Sequence, residues 1–182
     1  MLHTLIDDVF APLYGKPCWD VVPGYASFLT LEFGMPHLVI DEPKLLPKSA
    51  SLRRRRAHAR RRVTVRGDWH LWIYCCTWRV LIHGELIGDD TTARRIKRAA
   101  HELDGQALQQ VIVNPEAGSS VFVFDLGGHL ETRPYNRDSE QWHLYEPSGN
   151  VFTYRADGYF SHEPGNTVPE QILWRPLSEA HE

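Results

Sequence analysis

Turn signals cut the second half of this chain into pieces so short that only one kind of pairing can join them. Asn114-Pro115, Gly127-Gly128, Pro147 to Gly149 and Asp157-Gly158 punctuate five runs: Gln109 to Val113, Ser120 to Leu126, His129 to Arg133, Gln141 to Tyr145 and Val151 to Arg155. Most of these runs are rich in β-branched or aromatic residues, the composition of a strand. A parallel pair needs a crossover of about a dozen residues or more, whereas neighbours joined by a tight turn pair antiparallel. The expected product is a β-meander. Runs early in the chain, Trp19 to Val22, Ser27 to Phe33 and His37 to Ile40, are separated by turn signals at Pro23-Gly24 and Gly34 to Pro36 and predict a second one.

Two segments carry helical periodicity instead. Leu2, Leu5, Ile6, Val9, Phe10 and Leu13 form a stripe at spacings of three and four that Gly15 ends. Between Asp90 and Leu103 the apolar positions are Ala93, Ile96, Ala100 and Leu103, the opposite face carries Arg94, Arg95 and Arg98, and Gly105 is placed as the stop. From Val63 through Trp69 to Ile82, apolar residues occupy both alternations: His70, Trp72, Tyr74, Cys76, Trp78, Val80 and Ile82 on one, Trp69, Leu71, Ile73, Cys75 and Leu81 on the other. That pattern predicts a central strand covered on both sides. The tail after Glu163 is Pro-rich, with Ile172, Leu173 and Trp174 expected to pin it to the surface. The fold class is therefore α+β, a mainly antiparallel sheet with an N-terminal helix and one central helix, and 182 residues suffice for a single domain over 1–182 with its own core.

The two meanders also resemble each other. With Gly34 placed on Gly127, Ser27 falls on Ser120, Leu29 on Phe122, Leu31 on Phe124 and Glu32 on Asp125; after one gap His37-Leu38 meets His129-Leu130. Trp69-His70-Leu71-Trp72 is echoed by Trp142-His143-Leu144-Tyr145. The reading is a duplication, with pseudo-repeats over about 17–88 and 107–162 and an exposed basic insertion over about 43–62 in the first. Chance similarity between two alternating strands is the competing explanation.

Charge is polarised along the chain. The net charge is -3, yet the nine lysines and arginines between Lys44 and Arg62 have no acidic residue among them, leaving eleven basic residues elsewhere against 23 acidic ones. Cys18, Cys75 and Cys76 are an odd set with two neighbours whose side chains point oppositely on a strand, an arrangement suited to reduced thiols. The N-terminus lacks the layout of a secretory signal, and no apolar run approaches the ~18 residues that cross a bilayer. A cytoplasmic protein with no membrane partner is expected.

Four constellations are candidates for function. Arg53, Arg54, Arg55, Arg56, Arg60, Arg61 and Arg62, extended by Arg94, Arg95 and Arg98, can neutralise phosphates of a nucleic acid or dock on an acidic partner. Against this, the run has no interleaved aromatics for base stacking, and a solvated loop is its plainest reading. Trp72, Tyr74 and Trp78, with Trp142 or Tyr145, form an aromatic set able to line a site for a planar or cationic ligand; core packing is the more common fate of such residues. His70 and His143, and likewise His37 and His129, occupy matched positions suited to a metal or acid–base pair, although the spacing is no metal signature. Glu32 and Asp125, also matched, are the carboxylates a hydrolase-type enzyme would need between the two halves. No nucleophile elbow, phosphate loop or paired-His motif is present, so no catalytic residue, cofactor or metal is assigned.

Along Gly67-Asp68-Trp69-His70-Leu71-Trp72-Ile73-Tyr74-Cys75-Cys76-Thr77-Trp78, and again at Phe124-Asp125-Leu126-Gly127-Gly128 and Arg133-Pro134-Tyr135, the chain resembles a family of conserved bacterial proteins without an assigned activity. The resemblance spans most of the chain outside the basic insertion and implies a bacterial, intracellular protein; it brings no site residue with it. The leading expectation is a non-enzymatic binding or protein-interaction module for a protein or small ligand. The ligand-binding candidates are His70, Trp72, Tyr74, Trp78, Trp142, His143 and Tyr145. A nucleic-acid-associated protein and a hydrolase-type enzyme are the alternatives.

Overall fold

The computed structural model describes residues 4–24 and 26–179. A short helix α1 (Leu5–Phe10) leads to strands β1 (Cys18–Pro23) and β2 (Leu29–Phe33). The chain then leaves the body through β3 (His37–Asp41), helix α2 (Leu52–His58) and β4 (Arg62–Arg66). It returns as β5 (Trp69–Ile73), β6 (Cys76–Ile82) and β7 (Glu85–Asp89), followed by helix α3 (Ala93–Leu103). The remainder is β8 (Leu108–Asn114), β9 (Ser119–Phe124), β10 (Gly128–Pro134), β11 (Glu140–Tyr145), β12 (Asn150–Arg155), β13 (Tyr159–Pro164) and the two-residue β14 (Arg175–Pro176).

These strands form three antiparallel sheets among the described residues: β1-β2-β5-β11-β12-β13-β14, β7-β6-β10-β9-β8, and β3-β4 by itself. The first two enclose the core. Trp142 on β11 is fully buried, its ring stacked on Tyr154 (5.4 Å) and Phe152 (5.7 Å) and met edge-on by Phe10 (5.5 Å) and Phe122 (5.8 Å). Its indole N–H donates to Ser120 Oγ at 3.0 Å, so the polar edge of the largest core side chain is satisfied across the sheets. The α+β, mainly antiparallel architecture expected from turn spacing is what forms.

Both helices lie where their stripes predict, trimmed at the ends. Thr4 caps α1 through a reciprocal box with Asp7, and Ile6, Phe10 and Leu13 are buried; Leu2 lies outside the described residues. Thr92 caps α3, which packs on β7 and β1, the edges of the two large sheets. Gly88 on β7 permits that approach, since a Cβ there would stand 2.3 Å from the Arg95 carbonyl oxygen.

Three expectations need correction. The run Val63–Ile82 is no doubly covered strand: it is cut at Gly67-Asp68 and again at Tyr74-Cys75, and its pieces β4, β5 and β6 belong to three different sheets. The parity of the buried positions reverses at the second cut, from Leu71 and Ile73 on β5 to Cys76, Trp78 and Val80 on β6. Apolar residues on both alternations thus arise because one core is faced from two sides in turn. The strand His37 to Ile40 belongs to no meander, for β3 pairs only with β4, in register from His37↔Arg66 to Asp41↔Arg62. Nor does the pairing repeat. Gly34 and Gly127 are both left-handed turn glycines (φ 81° and 82°), but the first opens the β3–β4 excursion while the second closes the β9–β10 hairpin. In the tail, Leu177 is the buried anchor and Leu173 is exposed, while Trp174 lies under the Arg155 guanidinium at 4.6 Å.

Candidate functional site

In the seven-stranded sheet the register places side chains of neighbouring strands in rows across the face turned away from the core. One row runs Thr30, Trp72, His143, Thr153; the next runs Glu32, His70, Tyr145, Val151. The alternating partners Leu31, Leu71, Ile73, Trp142 and Leu144 point inward and are fully buried. A single set of strands therefore builds both the core and the candidate site.

Glu32 anchors the second row. Its side chain is fully shielded, and three donors converge on it: Arg66 Nη1 at 2.6 Å and His70 Nδ1 at 2.7 Å on Oε1, and the Gly67 backbone N–H at 2.9 Å on Oε2. Only glycine fits at 67, where a Cβ would stand 2.3 Å from the Phe33 carbonyl oxygen. Burial pushes the Glu32 carboxyl up, but the bonds from His70, Gly67 and Arg66 outweigh it and hold the pKa below the usual glutamate value. The carboxylate is ionised at neutral pH, and it orients His70 and Arg66 from beneath. With Nδ1 donating to Glu32, His70 lines the open cleft, and no other described residue bonds its Nε2.

Beside this anchor lies an aromatic cluster. Trp72 meets Phe28 at 5.6 Å, Tyr74 at 4.6 Å and His143 at 5.4 Å between ring centroids, and Phe28 meets Tyr74 at 4.8 Å. These rings touch one another, so no cation is enclosed between them; a cage would hold its walls farther apart. They form a ledge. His143 Nδ1 lies 2.9 Å from Thr153 Oγ1, and burial, with a smaller contribution from His70, lowers its pKa to about 4. Glu140, 3.5 Å from His143 Nε2, is pushed up by burial against the pull of Arg155. Both shifts favour neutral forms, so this contact is a polar one and not an ion pair.

Ledge and anchor open into a cleft of about 990 Å³. Its floor is Thr30, His70, Trp72 and Tyr145; one wall is the inner face of the β3–β4 arm, through His37, Val39 and Arg66; the other is the β11–β12 turn at Glu146, Pro147 and Gly149. Asp68 sits at the rim, tied to the Met35 backbone N–H at 2.8 Å.

Of the sequence candidates, His70, Trp72, Tyr74, His143 and Tyr145 converge here. Trp78 and Trp142 do not. Trp78 is 2% exposed on β6 with its N–H on the Ser27 carbonyl, and Trp142 is core. The matched carboxylates are also separated: Asp125 follows β9 and accepts from the Ala107 N–H at 2.8 Å, on the five-stranded side. His129 goes with it on β10. Sequence reasoning missed Phe28, Arg66 and Gly67. Arg66-Gly67-Asp68 directly before the Trp69 strand was the available signal, an arginine next to the one residue type that lets the chain approach β2.

The basic insertion is exposed. Ser51 caps α2 by accepting from the Arg54 N–H; Arg53, Arg54 and Arg56 on the helix and Arg60, Arg61 and Arg62 beyond it face solvent, while Arg55 is half-buried. Arg61 pairs with Glu42 at 2.9 Å with both groups largely exposed, a contact of little energetic weight. Arg94 and Arg98 are exposed on α3, and Arg95 is paired with Asp89 at 2.7 Å. Among the described residues no three His, Cys, Asp or Glu side chains gather as a metal site, and no helix is long and apolar enough to cross a membrane. Cys18, Cys75 and Cys76 are free thiols. Compared with models of known families, with curated proteins and with solved structures, the chain has no significant match in any of the three.

Proposed function

We propose that the protein is a binding module that holds a planar ligand on the outer face of its seven-stranded sheet. One observation carries this reading: the middle of the sheet, where β5 and β11 adjoin, leaves Trp72, His70 and Tyr145 lining an open 990 Å³ cleft in place of a covering layer. Protein domains ordinarily bury an aromatic sheet face against another element, and an apolar cleft with a few fixed polar groups is the usual form of a ligand site. Contact between the rings favours a flat group laid on the ledge over a cation enclosed by it. His70 and Arg66, held from below by Glu32, supply the polar groups that fix its orientation.

Calorimetric titration tests the reading with flat and non-flat anions of equal charge, benzoate and nicotinate against cyclohexanecarboxylate, and with the cation choline. Saturable binding of a flat probe that is lost in Trp72→Ala is the expected result. Choline bound in preference to every flat probe would overturn it.

A second reading has one observation behind it. The Glu32–His70 contact at the cleft floor is an arrangement that an oriented general base would use. Turnover of a model ester with a pH profile lost in both His70→Ala and Glu32→Gln would favour catalysis; rates equal to those of the variants would remove it.

A further inference from the structure

We propose that the β3–β4 arm is a self-association device: its aliphatic face packs on the same face of a second copy of the chain, antiparallel, and each arginine-rich tip lies over the acidic body of the other copy. The register pairs Leu38 with Val65 and Ile40 with Val63, which puts all four on one face of the ribbon. They are 65%, 46%, 55% and 54% exposed, in that order. The opposite face, carrying His37, Val39 and Arg66, is the cleft wall, so the aliphatic row points away from the body. A two-stranded ribbon is marginal in water without a partner layer, and a contiguous apolar patch on otherwise charged surface marks an interface.

Charge selects the occupant. The segment Lys44 to Arg62 holds nine basic residues and no acidic one, while the rest of the chain sets eleven basic residues against 23 acidic ones. A second copy thus offers both halves of the complement, an identical aliphatic row and an acidic body. Parallel packing of two arms would bring the basic tips together; antiparallel packing about a twofold axis, an isologous contact, separates them and sets each over negative charge. A polyanion would satisfy the tips alone, leaving the aliphatic row uncovered and the acidic body repelled. Association also braces the outer side of the wall whose inner side lines the cleft. The inference stands whether or not the cleft binds a planar ligand.

Sedimentation velocity on the full chain, from low micromolar concentration upward and at low and high salt, tests it. The expected result is a dimer that weakens as salt rises. Ile40→Asp with Val63→Asp should raise the dissociation constant at least tenfold, about 1.4 kcal/mol, and the milder pair Val63→Thr and Val65→Thr, which keeps strand propensity, should raise it several-fold with the circular dichroism unchanged. Arg53→Ser, Arg54→Ser and Arg56→Ser together should weaken the dimer and flatten its salt dependence. A wild-type chain that stays monomeric throughout, or a dimer indifferent to both ribbon variants, overturns the proposal. So does a monomer that binds random-sequence RNA with a steep salt slope lost in the arginine variant, which would assign the tip to nucleic acid.

Discussion

The two faces of the seven-stranded sheet are made by the same residues in alternation, yet they obey different rules. Inward, Leu71, Ile73, Trp142, Leu144 and Phe152 are fully buried, and the indole N–H of Trp142 is matched to a hydroxyl. Outward, Trp72 and Tyr145 are mixed with His70, His143 and a buried glutamate, and the face opens into a cleft. Antiparallel sheets commonly leave one face to solvent, and that face is then polar. Here it is aromatic and titratable. An aromatic outer face is what the proposed ligand site would require, and each face should fail differently when disturbed.

The largest effect should come from the inner face. Trp142→Ala leaves a cavity among four aromatic rings and should cost about 3–5 kcal/mol in urea unfolding. Trp72→Ala should cost less than half as much while removing binding. Equal losses would erase the distinction between the faces.

Acid should act on the outer face next. The folded pKa of His143, about 4, lies below the ordinary 6.5, so between those values the unfolded chain binds more protons than the folded one. Stability is fully present above pH 6.5 and falls as the pH drops toward 4, by up to about 3 kcal/mol. His143→Asn should flatten the urea midpoint across that window. Glu32, whose pKa is lowered, adds a loss only as the pH falls below its ordinary value of 4.5 and through its folded one.

Glu32→Gln keeps the shape but removes the charge that three donors share, and should cost about 1–3 kcal/mol. Binding should weaken as well, because His70 and Arg66 lose their anchor. Stability lost with binding intact would make Glu32 structural alone. The smallest effect is of opposite sign. The Tyr154 hydroxyl is buried with no partner among the described residues, so Tyr154→Phe should be neutral or stabilise by up to about 1 kcal/mol, read as a rise in thermal midpoint.

Much of this contrast was legible in the sequence, and the rest failed for identifiable reasons. Turn residues at short intervals dictated antiparallel pairing, and caps and stripes located α1 and α3 to within a few residues. His70, Trp72, Tyr74, His143 and Tyr145 were singled out because aromatic and titratable residues alternate on β5 and β11. Alternation places Trp78 with them only if it runs unbroken through Tyr74-Cys75, where the chain changes sheets and the parity restarts. Trp142 belongs to the core, a placement alternation leaves open because it defines two faces without saying which one meets the core. Glu32 matches Asp125 by local pattern alone; its partners, Arg66 and His70, come from β4 and β5, beyond an excursion whose path local pattern does not encode.

The indole N–H resonances of the six tryptophans, followed during titration with nicotinate, separate the two faces most directly. Trp72 should shift saturably while Trp142 and Trp78, bonded to Ser120 and Ser27, stay in place. Shifts at the two buried indoles with Trp72 unmoved would contradict the proposed site.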